Sequence, residues 1–316
     1  MKRNYEELYK KAGYGLVGKY SAVKICEWTK RAIKNIDFCY KQKFYGIQCH
    51  RCLQMTPDLQ YCNHNCIFCW RNLQDTKRTM KSGDSPKQLL IDAILMQRKL
   101  IEGFGGNEKV SKKIYMEARN PNQVAISLAG EPTMYPYLSE FIEETKKRNM
   151  SSFLVSNGTN PKVLERITLP TQLYVTIPAP DELTYKKTCR PSIKNGWKRI
   201  EKTIKLMPSL NTRKVARLTL LKGFNFTSPE AYAKLIGENF DFIEAKSAMA
   251  VGFSRDRGIG IKDMASPEEI REFAKKIADT LSWKVIDEKE NSRVALVAKK
   301  DYKWRKLEPK EPKIDF

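Results

Sequence analysis

Between residues 84 and 298 the apolar positions recur in two rhythms. Leu89, Leu90, Ala93, Ile94, Leu100 and Ile101 follow a helical spacing that stops at Gly103, and Asp84-Ser85-Pro86 offers an N-cap and a first-turn proline. The stretch 124–129 is instead a short, mostly apolar run, the pattern of a strand covered on both faces. Helical spacing returns over 137–149, 192–207, 229–239 and 267–281, and strand-like runs over 152–156, 173–178, 215–221 and 242–247. With a further strand expected just before Cys62, the alternation predicts about six β/α units, hence parallel strands with right-handed crossovers. Runs at 283–287 and 293–298 predict a terminal hairpin, and the tail from Lys299, with its Glu-Pro-Lys-Glu-Pro-Lys sequence, reads as mobile.

Charge adds a partner. Against 36 Asp and Glu the chain carries 58 Lys and Arg, a formal net charge of +22 over 316 residues. Such an excess fits a polyanion, because each cation that neutralises a phosphate releases a counterion. No Arg-Gly, Ser-Arg or poly-Lys tract is present, so the charge belongs to the folded surface. No apolar run approaches the roughly 18–20 residues that span a bilayer, and the first twenty residues lack an apolar core followed by a small-residue cleavage site. These features predict a soluble, cytoplasmic protein with no membrane partner.

Cysteine carries the candidate chemistry. Seven of the eight cysteines lie between Cys26 and Cys69, and histidine occurs only at positions 50 and 64. Cys62, Cys66 and Cys69 form a C-x3-C-x2-C, in which three thiolates can hold three irons of a 4Fe–4S cluster and leave the fourth open. An open iron can chelate the methionine end of S-adenosylmethionine, and an electron from the cluster then breaks the bond to C5′. A zinc-ribbon reading of Cys49-x2-Cys52 and Cys66-x2-Cys69 leaves Cys62 idle and gives the β/α units no role. Upstream, Cys26, Cys39 and Cys52 are separated by twelve intervening residues each and could carry a second cluster, with Cys49 nearby as an alternative ligand. Cys189 has no sequence partner and reads as a plain thiol.

Downstream, Ala129-Gly130-Glu131-Pro132 follows a strand and resembles the Gly-Gly-Glu-Pro turn of radical S-adenosylmethionine enzymes, with alanine in place of the first glycine. Ser156-Asn157 ends the next strand and Thr176 lies in the strand after it, and cofactor contacts are expected at such strand ends. The segments 44–57 and 61–71, with Ser127–Thr133, Val155–Thr159 and Leu218–Asn225, closely resemble the 4-demethylwyosine synthase family of wybutosine biosynthesis.

That resemblance implies an α/β fold: an incomplete (β/α)6 radical-SAM partial barrel with an N-terminal cysteine-rich extension (1–57), a core (58–282) and a C-terminal β-hairpin and basic tail (283–316). It implies two 4Fe–4S clusters, on Cys62, Cys66, Cys69 and on Cys26, Cys39, Cys52, with S-adenosylmethionine held by Gly130, Glu131, Pro132, Ser156, Asn157 and Thr176. The implied substrates are tRNA-Phe bearing N1-methylguanosine 3′ of the anticodon, and pyruvate. The chain resembles the stand-alone archaeal form, which implies a monomer served by an external electron donor. Lys41, with Lys43 behind it, is the candidate amine for a Schiff base with pyruvate. Tyr45, Phe68 and Trp70 are candidate base-stacking residues, and Lys2, Arg3, Lys10, Lys11, Lys19 and Lys24 candidate phosphate contacts. Two alternatives stay open: radical chemistry on another RNA or small molecule, and a zinc-stabilised RNA-binding protein.

Overall fold

A computed structural model describes residues 5–314. Ten strands form one sheet: β1 (Gly15–Val17), β2 (Ser21–Val23), β3 (Cys52–Thr56), β4 (Gln123–Ile126), β5 (Ser151–Ser156), β6 (Gln172–Thr176), β7 (Arg213–Leu220), β8 (Phe242–Ser247), β9 (Lys284–Lys289) and β10 (Val294–Ala298). Their order is β1-β2-β3-β4-β5-β6-β7-β8-β10-β9. The pairs from β3 to β8 are all parallel, so six consecutive β/α strands make the partial barrel, and antiparallel ribbons close both ends. The strand expected before Cys62 is β3, inside the segment assigned to the extension.

Alternation along each strand sorts the side chains between two layers. Leu53, Met55, Val124, Ile126, Leu154, Val175 and Leu218 pack under the crossover helices in the main core. Phe153, Tyr174, Val215, Phe242 and Leu296 point to the opposite, inner face and pack on the helix Tyr40–Tyr45. The crossover helices obey local rules. Pro267–Leu281 opens on a capping box, in which Ser266 Oγ accepts from the Glu269 N–H at 3.2 Å and the Glu269 carboxylate accepts from the Ser266 N–H at 2.6 Å. Its buried residues, Ile270, Phe273, Ala274, Ile277 and Ala278, fall on one stripe.

Several expectations need correction. The tail beyond Lys299 is fastened rather than mobile: the Leu307 N–H donates to the Tyr45 carbonyl at 2.7 Å, and Arg305 donates to the Phe44 carbonyl and Asp287, each at 3.0 Å. Glu311 accepts a bidentate bond from the buried Arg51, and the Lys313 N–H reaches the Arg148 carbonyl at 2.9 Å. The helix expected over 192–207 begins only at Gly196, because Ser192 bonds to the thiol loop instead. Asp84 does not cap the helix Pro86–Leu100; its carboxylate takes the Lys19 and Tyr20 N–H groups and the Ser21 hydroxyl, pinning the β1–β2 turn.

One charged group stabilises the inner layer. Glu244, fully buried on β8, accepts from the Tyr45 hydroxyl at 2.7 Å, the Tyr40 hydroxyl at 3.1 Å and Arg217 Nη2 at 2.9 Å. Glu244→Ala is expected to cost about 3–5 kcal/mol, since it strands a largely buried guanidinium and two tyrosine hydroxyls. Denaturant unfolding measures it; a loss below about 1 kcal/mol, the range of an exposed pair, would contradict that role.

Candidate active site

The chain leaves β3 directly into the loop carrying Cys62, Cys66 and Cys69, all partly exposed. Hydrogen bonds from outside the loop fix its shape. Cys62 N–H donates to the Lys77 carbonyl at 3.1 Å, and Asn65 and Ile67 N–H groups donate to the Cys189 and Thr188 carbonyls at 2.9 and 3.0 Å. Arg78 donates to the Cys62 carbonyl at 2.7 Å, and Arg257 donates to the Ile67 and Cys69 carbonyls. Arg71 is 1 % exposed and lies beside Cys69 and Cys62. Burial holds the Cys62 thiol above its ordinary value; Cys66 is raised first by its contact with Cys189 and then by burial. Thiolates here therefore need positive charge, which Arg71 or bound iron provides. Three thiols on one anchored loop, with a buried guanidinium beside two of them, suit a cluster with one open iron.

Gly130 has φ +74°, and a Cβ there would collide with the backbone and carboxyl of Asp58. Asp58 is fully buried, its Oδ2 has no partner, and burial keeps its carboxyl well above the usual range. Gly130 lets the turn close directly on Asp58, and the unpartnered oxygen there is the kind of acceptor a methionine ammonium would need. Glu131 behaves differently from a ligand contact. Its carboxylate accepts from Ser156 Oγ at 2.7 Å, the Asn157 N–H at 2.7 Å and both donors of Thr133, so it clamps the end of β4 to the end of β5. Asn157 Nδ2 donates to Asn63 Oδ1 at 2.8 Å, tying that clamp to the thiol loop. Pro132 is buried in the following turn, and Thr176 ends β6, pairing with Arg217 of β7.

The upstream thiols meet at the other end of β3. Cys26 caps the helix Glu27–Ile33, its sulfur accepting from the Thr29 N–H at 3.3 Å, and Cys39 precedes the helix Tyr40–Tyr45. Cys52 opens β3 close to both, and burial with their charge pushes it up to about 12. Cys39 is lowered to about 7, mainly by its hydrogen bond with Cys49. Cys49 is 1 % exposed and accepts from the Cys39 N–H at 3.3 Å, whereas Cys26, Cys39 and Cys52 keep some exposure. That difference favours the latter three as a donor set.

Lys41 reaches this region, buried, with its ammonium 4.7 Å from the Tyr174 ring centroid and 5.2 Å from Phe153. Burial and then Arg217 lower its pKa. Lys43 is not brought there: it is half-exposed, 3.2 Å from Asp287, and donates to the Glu288 carbonyl. Sequence reasoning missed Arg217 and Lys246. Lys246 lies on the inner face of β8, donating to the Ser292 carbonyl at 2.8 Å, and burial followed by Arg217 lowers it to about 8. Charged residues at alternate positions of an otherwise apolar strand were the available signal.

Among the other candidates, Tyr45 is fully buried and bonded to Glu244, so it cannot stack on a base; Trp70 is 40 % exposed and Phe68 half-buried. Lys24 is spent on the Ala12 carbonyl at 2.7 Å, Lys10, Lys11 and Lys19 are exposed, and Lys2 and Arg3 lie outside the described residues.

Residues 57–236 match the Radical SAM superfamily, and residues 238–299 match the family described as wyosine base formation. The S-adenosyl-L-methionine-dependent tRNA 4-demethylwyosine synthase of Pyrococcus horikoshii is 48 % identical over 309 residues, 95 % of this chain and 90 % of the relative. Its counterpart from Methanocaldococcus jannaschii is 39 % identical over 315 residues, 96 % of this chain and 99 % of the relative. A solved structure described as TYW1 with a lysine-pyruvate adduct bound superposes with a TM-score of 0.87 at 35 % identity, covering 98 % of this chain and 99 % of the other.

Proposed function

Because the chain belongs to the radical S-adenosylmethionine superfamily, and within it to the tRNA 4-demethylwyosine synthases, we propose that it condenses N1-methylguanosine, 3′ of the anticodon of tRNA-Phe, with pyruvate to form the tricyclic base 4-demethylwyosine. When bound, a 4Fe–4S cluster on Cys62, Cys66 and Cys69 would supply the electron that splits S-adenosylmethionine and generates the 5′-deoxyadenosyl radical. Cys26, Cys39 and Cys52 would hold a second 4Fe–4S cluster beside the pyruvate site.

The observation that carries this reading is the placement of two thiol sets along one strand. Cys52 begins β3 and the Cys62 loop follows its end, so the sets lie at opposite ends of a strand roughly 13 Å long, at about 3.3 Å per residue. A base and a three-carbon acid can be held together across such a span, which turns a bimolecular carbon–carbon bond formation into a local one. Gly130, Glu131 and Pro132, with Ser156, Asn157 and Thr176, shape the cofactor side; Glu131, Ser156 and Asn157 do so by holding the turn rigid. On the pyruvate side Arg217, which stays charged beside Glu244, is a cation available to a substrate carboxylate, while burial lowers both Lys41 and Lys246.

Lys41 is the amine placed to condense with the pyruvate carbonyl, since burial favours its uncharged, nucleophilic form. Exposed cations and Trp70 are available for the anticodon loop, whose bases leave the stack more cheaply than duplex bases. Among the described residues no helix is long and apolar enough to cross a membrane. The proposal includes a cytoplasmic monomer and a separate electron donor.

Reductive trapping with borohydride and labelled pyruvate tests it. Peptide mapping is expected to place the label on Lys41, and Lys41→Ala to lose the label and lower turnover by roughly 10²-fold or more. Lys43→Ala should keep both. Label on Lys43, or full turnover by Lys41→Ala, would overturn the assignment.

A further inference from the structure

Cys189 belongs to neither thiol set, yet the fold holds it against Cys66. It ends the helix Glu182–Cys189, whose last carbonyls receive the Asn65 and Ile67 N–H groups of the thiol loop. Arg190 then turns left-handed (φ 45°, ψ 61°), and the Ser192 N–H and hydroxyl both donate to the Asn63 carbonyl, at 2.9 and 3.0 Å. Four hydrogen bonds thus fasten this segment around residues 63–67, and Cys189 is 1 % exposed.

One of the chain's two histidines completes the group. His64, 3 % exposed, has Nε2 2.8 Å from the hydroxyl of Tyr185, one turn before Cys189 on the same helix. A nitrogen of His64, Cys66 Sγ and Cys189 Sγ all lie within 4.8 Å of one another. With Nε2 engaged, Nδ1 is the nitrogen open to a ligand, and the Tyr185 hydroxyl fixes the ring as an outer hydrogen bond does at metal sites. Tetrahedral zinc, with bonds near 2.3 Å to sulfur and 2.0–2.1 Å to nitrogen, needs these atoms roughly 3.5–3.8 Å apart. Imidazole with two thiolates is a donor set that zinc accepts.

We infer that His64, Cys66 and Cys189 form a binding site for a zinc-class divalent ion, with the fourth position open to water. Binding releases the two thiol protons to solvent and involves no electron transfer. Since Cys66 is shared, the ion and the radical cluster exclude each other, so zinc at this site blocks cluster assembly. Only that competition rests on Cys66 being a cluster ligand; metal binding itself does not.

The test compares full-length, iron-free proteins under anaerobic conditions, because the upstream thiols can also take zinc. Titrated against a chromophoric chelator, the unsubstituted protein is expected to bind one more tight zinc ion than Cys189→Ala. His64→Ala should weaken that ion at least about tenfold. With cobalt as probe, Cys189→Ala should lose part of the sulfur-to-metal charge-transfer absorbance, and Cys189→Ser, closer in volume, should repeat the loss if the alanine protein is unstable. Both Cys189 variants should still load iron and sulfide fully, and prior zinc should slow loading of the unsubstituted protein more than that of either variant. Equal zinc stoichiometry and affinity with and without Cys189 would overturn the site. Prior zinc that slows cluster loading equally with and without Cys189, or not at all, would overturn the exclusion.

Discussion

Cys62→Ala, reconstituted anaerobically with iron and sulfide, is expected to form no 5′-deoxyadenosine above background. The three thiols of the loop must each take one iron if the fourth is to stay open, and no other cysteine can replace Cys62. Cys189 sits beside Cys66 rather than Cys62, and the upstream set is at the far end of β3. Iron content should fall from about eight to about four per chain, the upstream cluster surviving. The fold should persist, because Cys62 is partly exposed and the loop is anchored through backbone carbonyls and N–H groups. Undiminished deoxyadenosine formation would remove the loop from the radical chemistry.

Cys39→Ala should show the opposite division. Deoxyadenosine formation should continue, since the loop after β3 is untouched, while incorporation of pyruvate into tRNA should drop to background. Iron content should again fall by about four per chain. Cys39 immediately precedes the helix that carries Lys41, so the proposed cluster there would be lost together with the anchor it would give pyruvate. Lys41→Ala should lose product yet keep all of its iron, which separates the role of the amine from that of the thiols. Loss of deoxyadenosine formation in Cys39→Ala would contradict two independent thiol sets.

The parallel strands were legible because they are covered on both faces and read as apolar runs: β8 (Phe242–Ser247) and the helix Pro267–Leu281 fall on their expected bounds. The N-terminal elements were not. β1 and β2 are three residues each, and the helices Glu27–Ile33 and Tyr40–Tyr45 are too short to show a period. The tail misled because its Pro, Lys and Glu composition is that of a disordered segment, whereas backbone hydrogen bonds and the buried Arg51 fix it. In the site, the cysteine spacing and the Gly-Glu-Pro turn were legible because their residues are close neighbours in sequence. The role of Glu131 was hidden, since only the fold shows its carboxylate filled by Ser156, Asn157 and Thr133. Arg217, Glu244 and Lys246 were hidden because three separate positions on two strands converge only across β7 and β8.

The central claim, that one chain joins radical generation to carbon transfer onto tRNA, is tested most directly by mass spectrometry of the nucleic acid. tRNA-Phe carrying N1-methylguanosine is incubated anaerobically with the reconstituted protein, S-adenosylmethionine, a reductant and carbon-13-labelled pyruvate. The account predicts that the modified guanosine is replaced by a tricyclic base containing two pyruvate carbons, with 5′-deoxyadenosine formed alongside. Deoxyadenosine formation with the N1-methylguanosine left intact and no label in the tRNA would contradict it.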